Sequence, residues 1–502
     1  MAAPEDATTA SAGRRVVARG VVWSFAGQGL PLLVALVAMP FLIAGYGTER
    51  FGILALVLAT FGYFSMFDLG MGRALTQWIA AATADRTGRD VGGTIRAGLA
   101  VTALLGMLGG AILFAITPWL VSRALVMPDA LQGEARLSFL LVAAAIPLLS
   151  LSQALRGILE AHLRFGLINA VRVPLSCLSL LGPLLLLPFT DNLVPAVGVI
   201  LASRVIGGAI FLRACLRVQP ELRGGLRFDP GAVVPLVRFG GWMTVSNVVG
   251  PLMVSFDRFL IGSVISVAAT AYYAAPYDMV TKLWIVPGAF VAVLFPAFAM
   301  SAAADPARME RLYLRGLRYT AALLFPAVLV VVVFAHEILT LWLGPAFADE
   351  SAGVLRLLAL GVMANSLAQV PFALVQGIGR ADVTAKLHLA EAPVYLLVLW
   401  WAVGRFGIEG AAIAWGVRAV ADAGLLFVAA ARLSACPVKP VLPLLASVGA
   451  GSALAGALAL VPDAGDRLIM SATVLGMFAM FTWVRVLSDE DRHSLSLRQV
   501  AR

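Results

Sequence analysis

Three features of the 502-residue sequence predict an all-α membrane protein of about 14 transmembrane helices. The chain is 61% hydrophobic and only 13% charged, with a mean hydropathy of +0.93. Its apolar residues fall in repeated runs of about 20, the length a helix needs to cross hydrocarbon. Its basic residues gather in alternate connections between those runs. Soluble domains are about 45–50% apolar and about 25% charged, a balance that no half of this chain approaches. A backbone in hydrocarbon must satisfy its own hydrogen bonds, so runs of this kind become helices.

The first run, 20–44, follows Arg14, Arg15 and Arg19 as a signal peptide would. It is too long for a signal h-region and shows no evident cleavage site, so it reads as a retained span. Runs at 51–72 and 97–121 come next, the latter with Gly106 and Gly110 at the GxxxG spacing of closely packed helices. Spans at 137–155, 166–188 and 193–212 complete a first set of six. A second set covers 239–266, 269–298, 319–343, 353–375, 387–403 and 409–430, and two more follow at 441–461 and 468–487. Prolines within the runs, among them Pro31, Pro147, Pro174, Pro251, Pro287, Pro326 and Pro393, are tolerated where neighbouring helices satisfy the freed carbonyls. Trp119, Trp342, Trp400 and Trp401 lie near span ends, as an interfacial belt requires.

With the N-terminus placed in the cytoplasm, cytoplasmic segments hold 27 of the 37 Lys and Arg residues, opposite loops hold 6, and 4 lie within spans. That bias predicts both termini inside. The excess of 37 basic over 28 acidic residues therefore marks loops facing anionic lipid and not a nucleic-acid surface. Cys177, Cys215 and Cys436 are scattered and lack metal-ligand spacing, the four histidines are isolated, and no HExxH, CxxC or GxxxxGK[ST] motif is present. Metal and nucleotide chemistry are not expected.

The chain also repeats itself. Trp23 opens WSFAGQGLPLLV, and Trp242, 219 residues later, opens WMTVSNVVGPLMV. Gly157-Ile158 recurs 220 residues on as Gly377-Ile378, and Arg204 has Arg418 as its counterpart 214 residues on. TPWLVSRALVMPDA ends the third run much as AHEILTLWLGPAFA ends the ninth. Matches in order at nearly constant offset predict two parallel, pseudo-symmetric six-helix lobes, 1–227 and 228–434, with an extra helix pair and short tail in 435–502. Halves of this kind enclose a central cleft.

On the stretches GYGTERFGILAL, FDLGMGRALTQWIA, SFDRFLIG with AYYAAP, EILTLWLGPAFADESAGVLRLLAL and FGIEGAAIAWGVRAVADA, the sequence resembles the polysaccharide-transporter (Wzx-like) branch of the multidrug/oligosaccharidyl-lipid/polysaccharide exporter superfamily. The resemblance covers most of residues 15–434. It implies MATE-like lobes and a flippase, not an enzyme. Such a flippase moves undecaprenyl-diphosphate-linked oligosaccharide repeat units across the bacterial inner membrane by alternating access, for exopolysaccharide or O-antigen synthesis. It implies no cofactor beyond H+ or Na+ coupling, a lipid-linked substrate, a monomeric transporter, and hand-over to polysaccharide polymerase and chain-length machinery. A cation-coupled multidrug exporter and a lipid II flippase are the rival readings within the superfamily. The two helices beyond twelve weigh against the first, and the near-solitary Arg204 of the first lobe weighs against the second. A glycan polymerase or ligase would need a large outer loop, and the longest here is 122–136.

Ionisable side chains at membrane depth are costly and normally face a cavity or a partner. Asp257 and Arg258 are adjacent, about 100° apart on a helix, so they cannot pair face to face. Hairpin geometry about residue 267 puts them level with Asp278, and Lys282 lies one turn deeper. About residue 406, Glu391, Arg418 and Asp422 likewise fall at comparable depth. For an anionic pyrophosphate, Arg258, Lys282, Arg204 and Arg418 are the substrate-binding candidates. Asp257, Asp278, Glu391 and Asp422 are candidates for coupling or charge pairing, and Asp68 with Arg73 for a cytoplasmic gate. The competing reading is structural ion pairing between helices, with simple helix capping for Asp68 and Arg73.

Overall fold

The structure is a computed structural model that describes residues 5–65, 75, 79, 91–162, 164–223, 253, 255–301, 305–434, 436 and 439–481. Among these residues there is no strand. Nine helices among the described residues are long and apolar enough to cross a membrane, and a shorter apolar one, Leu442–Leu458, follows them. Large apolar side chains such as Leu104, Phe114, Leu185 and Val398 stand exposed along them, as lipid-facing positions do. This is a multi-pass, all-α membrane protein.

Residue contacts divide the chain into two compact units, Met1–Ala271 and Tyr272–Arg502. The first unit opens with α1 (Glu5–Ser65), a helix broken at Gly47. Gly47 has φ +74°, a conformation that side chains bearing a Cβ resist, so two apolar runs become two helical segments there. α2 (Val91–Trp119), α3 (Asp129–Ala161), α4 (Phe165–Leu186) and α5 (Leu193–Val218) follow. The Gly106–Gly110 pair does what its spacing predicts. A Cβ on Gly106 would come 2.7 Å from Pro147 Cα and one on Gly110 2.5 Å from Ala143 O, so α2 meets α3 nearly backbone to backbone.

At one end of this unit a single guanidinium joins three connections. Arg50 donates through Nε and Nη2 to Glu134 and through Nη1 to Asp191, all at 3.0–3.1 Å. Glu134 also accepts the Leu193 amide, and Asn192 caps α5 by accepting from Val194 N at 2.8 Å. The helix over 255–264, here α6, runs into the start of α7 (Val267–Val280), and this turn is held by backbone bonds. Val126 N donates to Gly262 O at 2.9 Å, and Val267 N donates to Val126 O at 3.0 Å. A Cβ on Gly52 would overlap the Val267 carbonyl, so only glycine permits that approach.

In the second unit α7 tightens into a 3-10 turn, Thr281–Trp284, before α8 (Ile285–Ser301). The sequence reads one unbroken span here. Pro287 has no amide proton for the Leu283 carbonyl, and Thr281 Oγ1 bonds the Tyr277 carbonyl at 2.7 Å, so the regular ladder yields locally. α9 (Pro306–Val333) begins 13 residues before its hydropathy run. Asp305 caps it by accepting from Arg308 N at 2.9 Å, and its polar first turns hide the start from a hydropathy window. The same apolar run is cut at Phe334, where α10 (Ala335–Leu343) branches off.

α11 (Pro345–Gly377) packs most heavily on α12 (Ala381–Leu433), which is broken at Gly407 (φ +62°). Trp415 fills their interface with no exposed surface, and a Cβ on Gly361 would come 2.5 Å from its ring. The last helices, α13 (Leu442–Leu458) and α14 (Ala464–Phe481), dock on α9. Phe325 meets Phe478 at 4.4 Å between ring centroids and lies against Gly451. Arg467 ties α14 down: it is 8% exposed, bonds the Glu337 carboxylate, donates to Val333 O at 3.4 Å and lies 5.9 Å over the Phe334 ring.

Candidate functional site

The first unit contains a cavity of about 260 Å³ between α1, α3, α4 and α5. Its polar lining is Ser152, Gln153, Arg156, Arg172 and Arg204; Leu58, Phe61, Leu149, Val171, Leu175 and Phe211 complete most of the wall. Sequence reasoning finds Arg204 and misses the other two arginines, which it counts among loop residues. Hairpin spacing could have found them: Arg156 lies six residues before His162, where one helix has ended, and Arg172 eight after Arg164, from which the next begins, so both return to similar levels. Gly207 and Gly208 let α5 approach. A Cβ on Gly208 would come 2.6 Å from Ser152 Oγ, and one on Gly207 2.6 Å from Leu175 Cδ1.

Three guanidiniums meet one carboxylate here. Arg156 pairs with Glu160 one turn along α3 at 3.1 Å. Among the described residues no carboxylate pairs with Arg172 or Arg204. Exposed Arg172 and half-buried Arg204, with no carboxylate paired to either among the described residues, favour an anionic guest, and guanidiniums suit phosphate oxygens because their forked donors bond two at once. The volume falls just below the ~300–1,000 Å³ of drug-sized sites. It suits a phosphate or diphosphate group whose remaining substituents extend outside.

A second cluster lies in the other unit. Glu391, Arg418 and Asp422, expected at one depth, do come together: Asp422 and Arg418 both act electrostatically on Glu391. Arg418 lies 5.5 Å over the Tyr395 ring. His388, which sequence reasoning passed over as isolated, joins them, with Nε2 3.6 Å from Asp422 Oδ1 and its ring stacked on Phe372. The signal was present, since His388 and Glu391 are i,i+3 on one helix face.

Asp257 is fully buried and Arg258 8% exposed, both in the first unit. Asp257 Oδ1 accepts the Arg258 amide at 2.8 Å, and Thr270 Oγ1 donates to the Arg258 carbonyl at 3.3 Å. Asp278 and Lys282 belong to the second unit, Lys282 exposed on the 3-10 turn. Asp68 and Arg73 lie outside the described residues.

Residues 17–302 match the polysaccharide biosynthesis protein family. A Shigella flexneri protein provisionally named an O-antigen transporter is 30% identical over 414 residues, 82% of this chain and 96% of that protein. The chain belongs to the polysaccharide biosynthesis protein family. Within the same range of relatives, the lipopolysaccharide biosynthesis protein WzxC of Escherichia coli K12 is 23% identical over 176 residues, 35% of each chain. Two solved structures share the fold of this family member. The lipid II flippase MurJ in an inward closed conformation aligns with TM-score 0.71 at 11% identity, covering 93% of this chain and 99% of that one. An inward-facing multidrug resistance MATE family transporter of the MOP superfamily aligns with TM-score 0.68 at 18% identity, covering 80% and 93%. The arginine cavity thus sits in a fold shared with those two structures.

Proposed function

We propose that this protein is a flippase that carries polyprenyl-diphosphate-linked oligosaccharide units across a bacterial inner membrane by alternating access. The observation that carries this reading is the cavity lined by Arg156, Arg172 and Arg204. A diphosphate is the part of a lipid-linked sugar that cannot cross hydrocarbon without compensating cations. The relatives named for O-antigen transport and lipopolysaccharide biosynthesis support the same cargo.

In this reading the chain crosses the membrane 14 times with both termini in the cytoplasm, as the 27-to-6 distribution of basic residues argues. Lobes 1–227 and 228–434 rock about the cleft, with 435–502 added at one side. Arg258, Lys282 and Arg418 supply further cations, Asp257, Asp278, Glu391 and Asp422 balance charge or carry a coupling ion, and Asp68 with Arg73 gates the inner opening. Polymerase and chain-length machinery take the cargo on the far side.

The test is a gene deletion in a strain without a second transporter of the same cargo. Surface polysaccharide should vanish while its repeat units accumulate on carrier lipid, and their sugar composition identifies the cargo. Normal polysaccharide output would sink the proposal, and drug hypersensitivity in its place would favour the exporter reading.

A further inference from the structure

We propose that one face of α9 is a docking surface for the phosphodiester headgroups of anionic phospholipid. The proposal concerns the second unit alone and depends neither on the cargo nor on the direction of transport.

α9 carries Arg308, Arg311, Arg315 and Arg318, and no charged residue after them. At about 100° per residue these four fall within an arc of about 80° on the helix. The side chains buried over the same length, those of Met309, Tyr313, Leu317 and Thr320, occupy the opposite side. Arg308, Arg311 and Arg315 are exposed and Arg318 is half-buried. A Cβ on Gly316 would come 2.6 Å from Leu294 on α8 and 3.3 Å from Val370 on α11, so those helices lie behind the arginine face. The face ends two turns short of Phe325, where α14 docks through Phe478.

This arrangement opposes itself. Consecutive arginines stand three or four residues apart, the spacing at which like charges on a helix repel. Arg308 also lies in the first turn, at the positive end of the helix dipole, and that turn holds no acidic residue. Counter-charge within the chain is sparse. Asp305 lies 4.0 Å from Arg311, but it already caps the helix by accepting from Arg308 N. Glu310 projects about 120° away from the centre of the face. Among the described residues no carboxylate pairs with Arg308 or Arg318. Cations kept together against repulsion call for anionic compensation from outside.

Depth selects the class of partner. The apolar run of α9 begins at Tyr319, directly after Arg318, and Leu323 stands 58% exposed one turn further on. The polar headgroup region adds about 5–7 Å on each side of the hydrocarbon. At a rise of about 1.5 Å per residue, Arg315 stands about 4.5 Å and Arg311 about 10.5 Å outward from Arg318. Arg318 and Arg315 therefore lie in the headgroup layer, and the long stem of Arg311 brings its guanidinium back to it. Arg308, about 15 Å out, acts on that layer from within about one Debye length. Forked guanidinium donors bond two oxygens of one phosphate. A net negative lipid keeps the attraction that the cation of a zwitterionic headgroup cancels.

Electron paramagnetic resonance of spin-labelled phosphatidylglycerol and phosphatidylcholine, with the full chain in phosphatidylcholine liposomes, reads how much of each lipid the protein holds. Wild type should hold more phosphatidylglycerol. A basic residue near an anionic surface contributes about fivefold in affinity, so Arg311→Gln, Arg315→Gln and Arg318→Gln together should weaken the site by about 100-fold. Lys386→Gln, which removes an exposed charge on α12, should leave it unchanged. Raising salt from about 0.1 to 1 M shortens the screening length from about 10 to 3 Å, which should weaken retention by wild type and not by the triple variant. If the triple variant does not fold, the three single ones decide, each with a loss of about fivefold. Equal retention of both lipids by wild type would overturn the proposal, as would an unchanged preference in the folded variants. A preference that emerges only after Asp489, Glu490 and Asp491 are replaced by Ser would assign the face to the chain's own acidic run and overturn it too.

Discussion

Arg204 shows how much a single side chain can state in this protein. It sits mid-helix on α5, half-buried, with no carboxylate partner among the described residues, and it shares a cavity with Arg156 and Arg172. A hydrogen bond from a charged group contributes about 1.5–3 kcal/mol, roughly 10- to 150-fold in affinity. Arg172→Ala and Arg204→Ala should each lower flipping by about that factor, read as surface polysaccharide in a complemented deletion strain, with protein level unchanged. Arg204→Lys should recover only part, because an ammonium cannot bridge two phosphate oxygens as a fork does. Gly208→Val approaches the same site from the wall. Its side chain would enter the space beside Ser152 Oγ, and activity should fall while all three arginines remain.

At the level of elements, glycine decides which helices touch and which break. Gly106 and Gly110 bring α2 onto α3, whereas Gly133 at the start of α3 has open space around a would-be Cβ. Overpacking costs about 1–3 kcal/mol. Gly106→Val should therefore lower the thermal unfolding midpoint in detergent by several degrees, and Gly133→Val should leave it in place. Gly407 serves differently: its positive φ ends one helical segment and starts the next inside α12. Gly407→Ala should cost about 1–2 kcal/mol through left-handed strain, visible as a lower midpoint with unchanged helix content by circular dichroism.

For the molecule as a whole, the instructive feature is how the last two helices are attached. Phe325 with Phe478 and Gly451, and Arg467 with Glu337, tie α13 and α14 to the rest of the second unit. An exposed ion pair is worth about 0.2–1 kcal/mol, and removing one member of a buried pair costs about 3–5 kcal/mol. Arg467 is 10% exposed at its side chain and Glu337 35%, so the effect of Arg467→Ala should fall between these limits. Limited proteolysis should then cut the 434–441 connection faster than in wild type. An unchanged cutting rate would show that apolar packing alone holds the pair.

Hydropathy and basic-residue counts sufficed to read a multi-pass helical protein, because hydrocarbon forces each long apolar run into a helix whatever its neighbours do. The GxxxG contact and the meeting of Glu391, Arg418 and Asp422 were legible for a related reason: helix periodicity and hairpin depth are fixed by local geometry. Only the tertiary structure decided which loop-side arginines fold back into a cavity, and that His388 completes the acidic cluster. It also decided that the 255–271 turn is held by Val126 and Gly52 of the first unit. These depend on which faces of distant helices meet. That choice is made by close packing among dozens of side chains at once, and no window of sequence contains it.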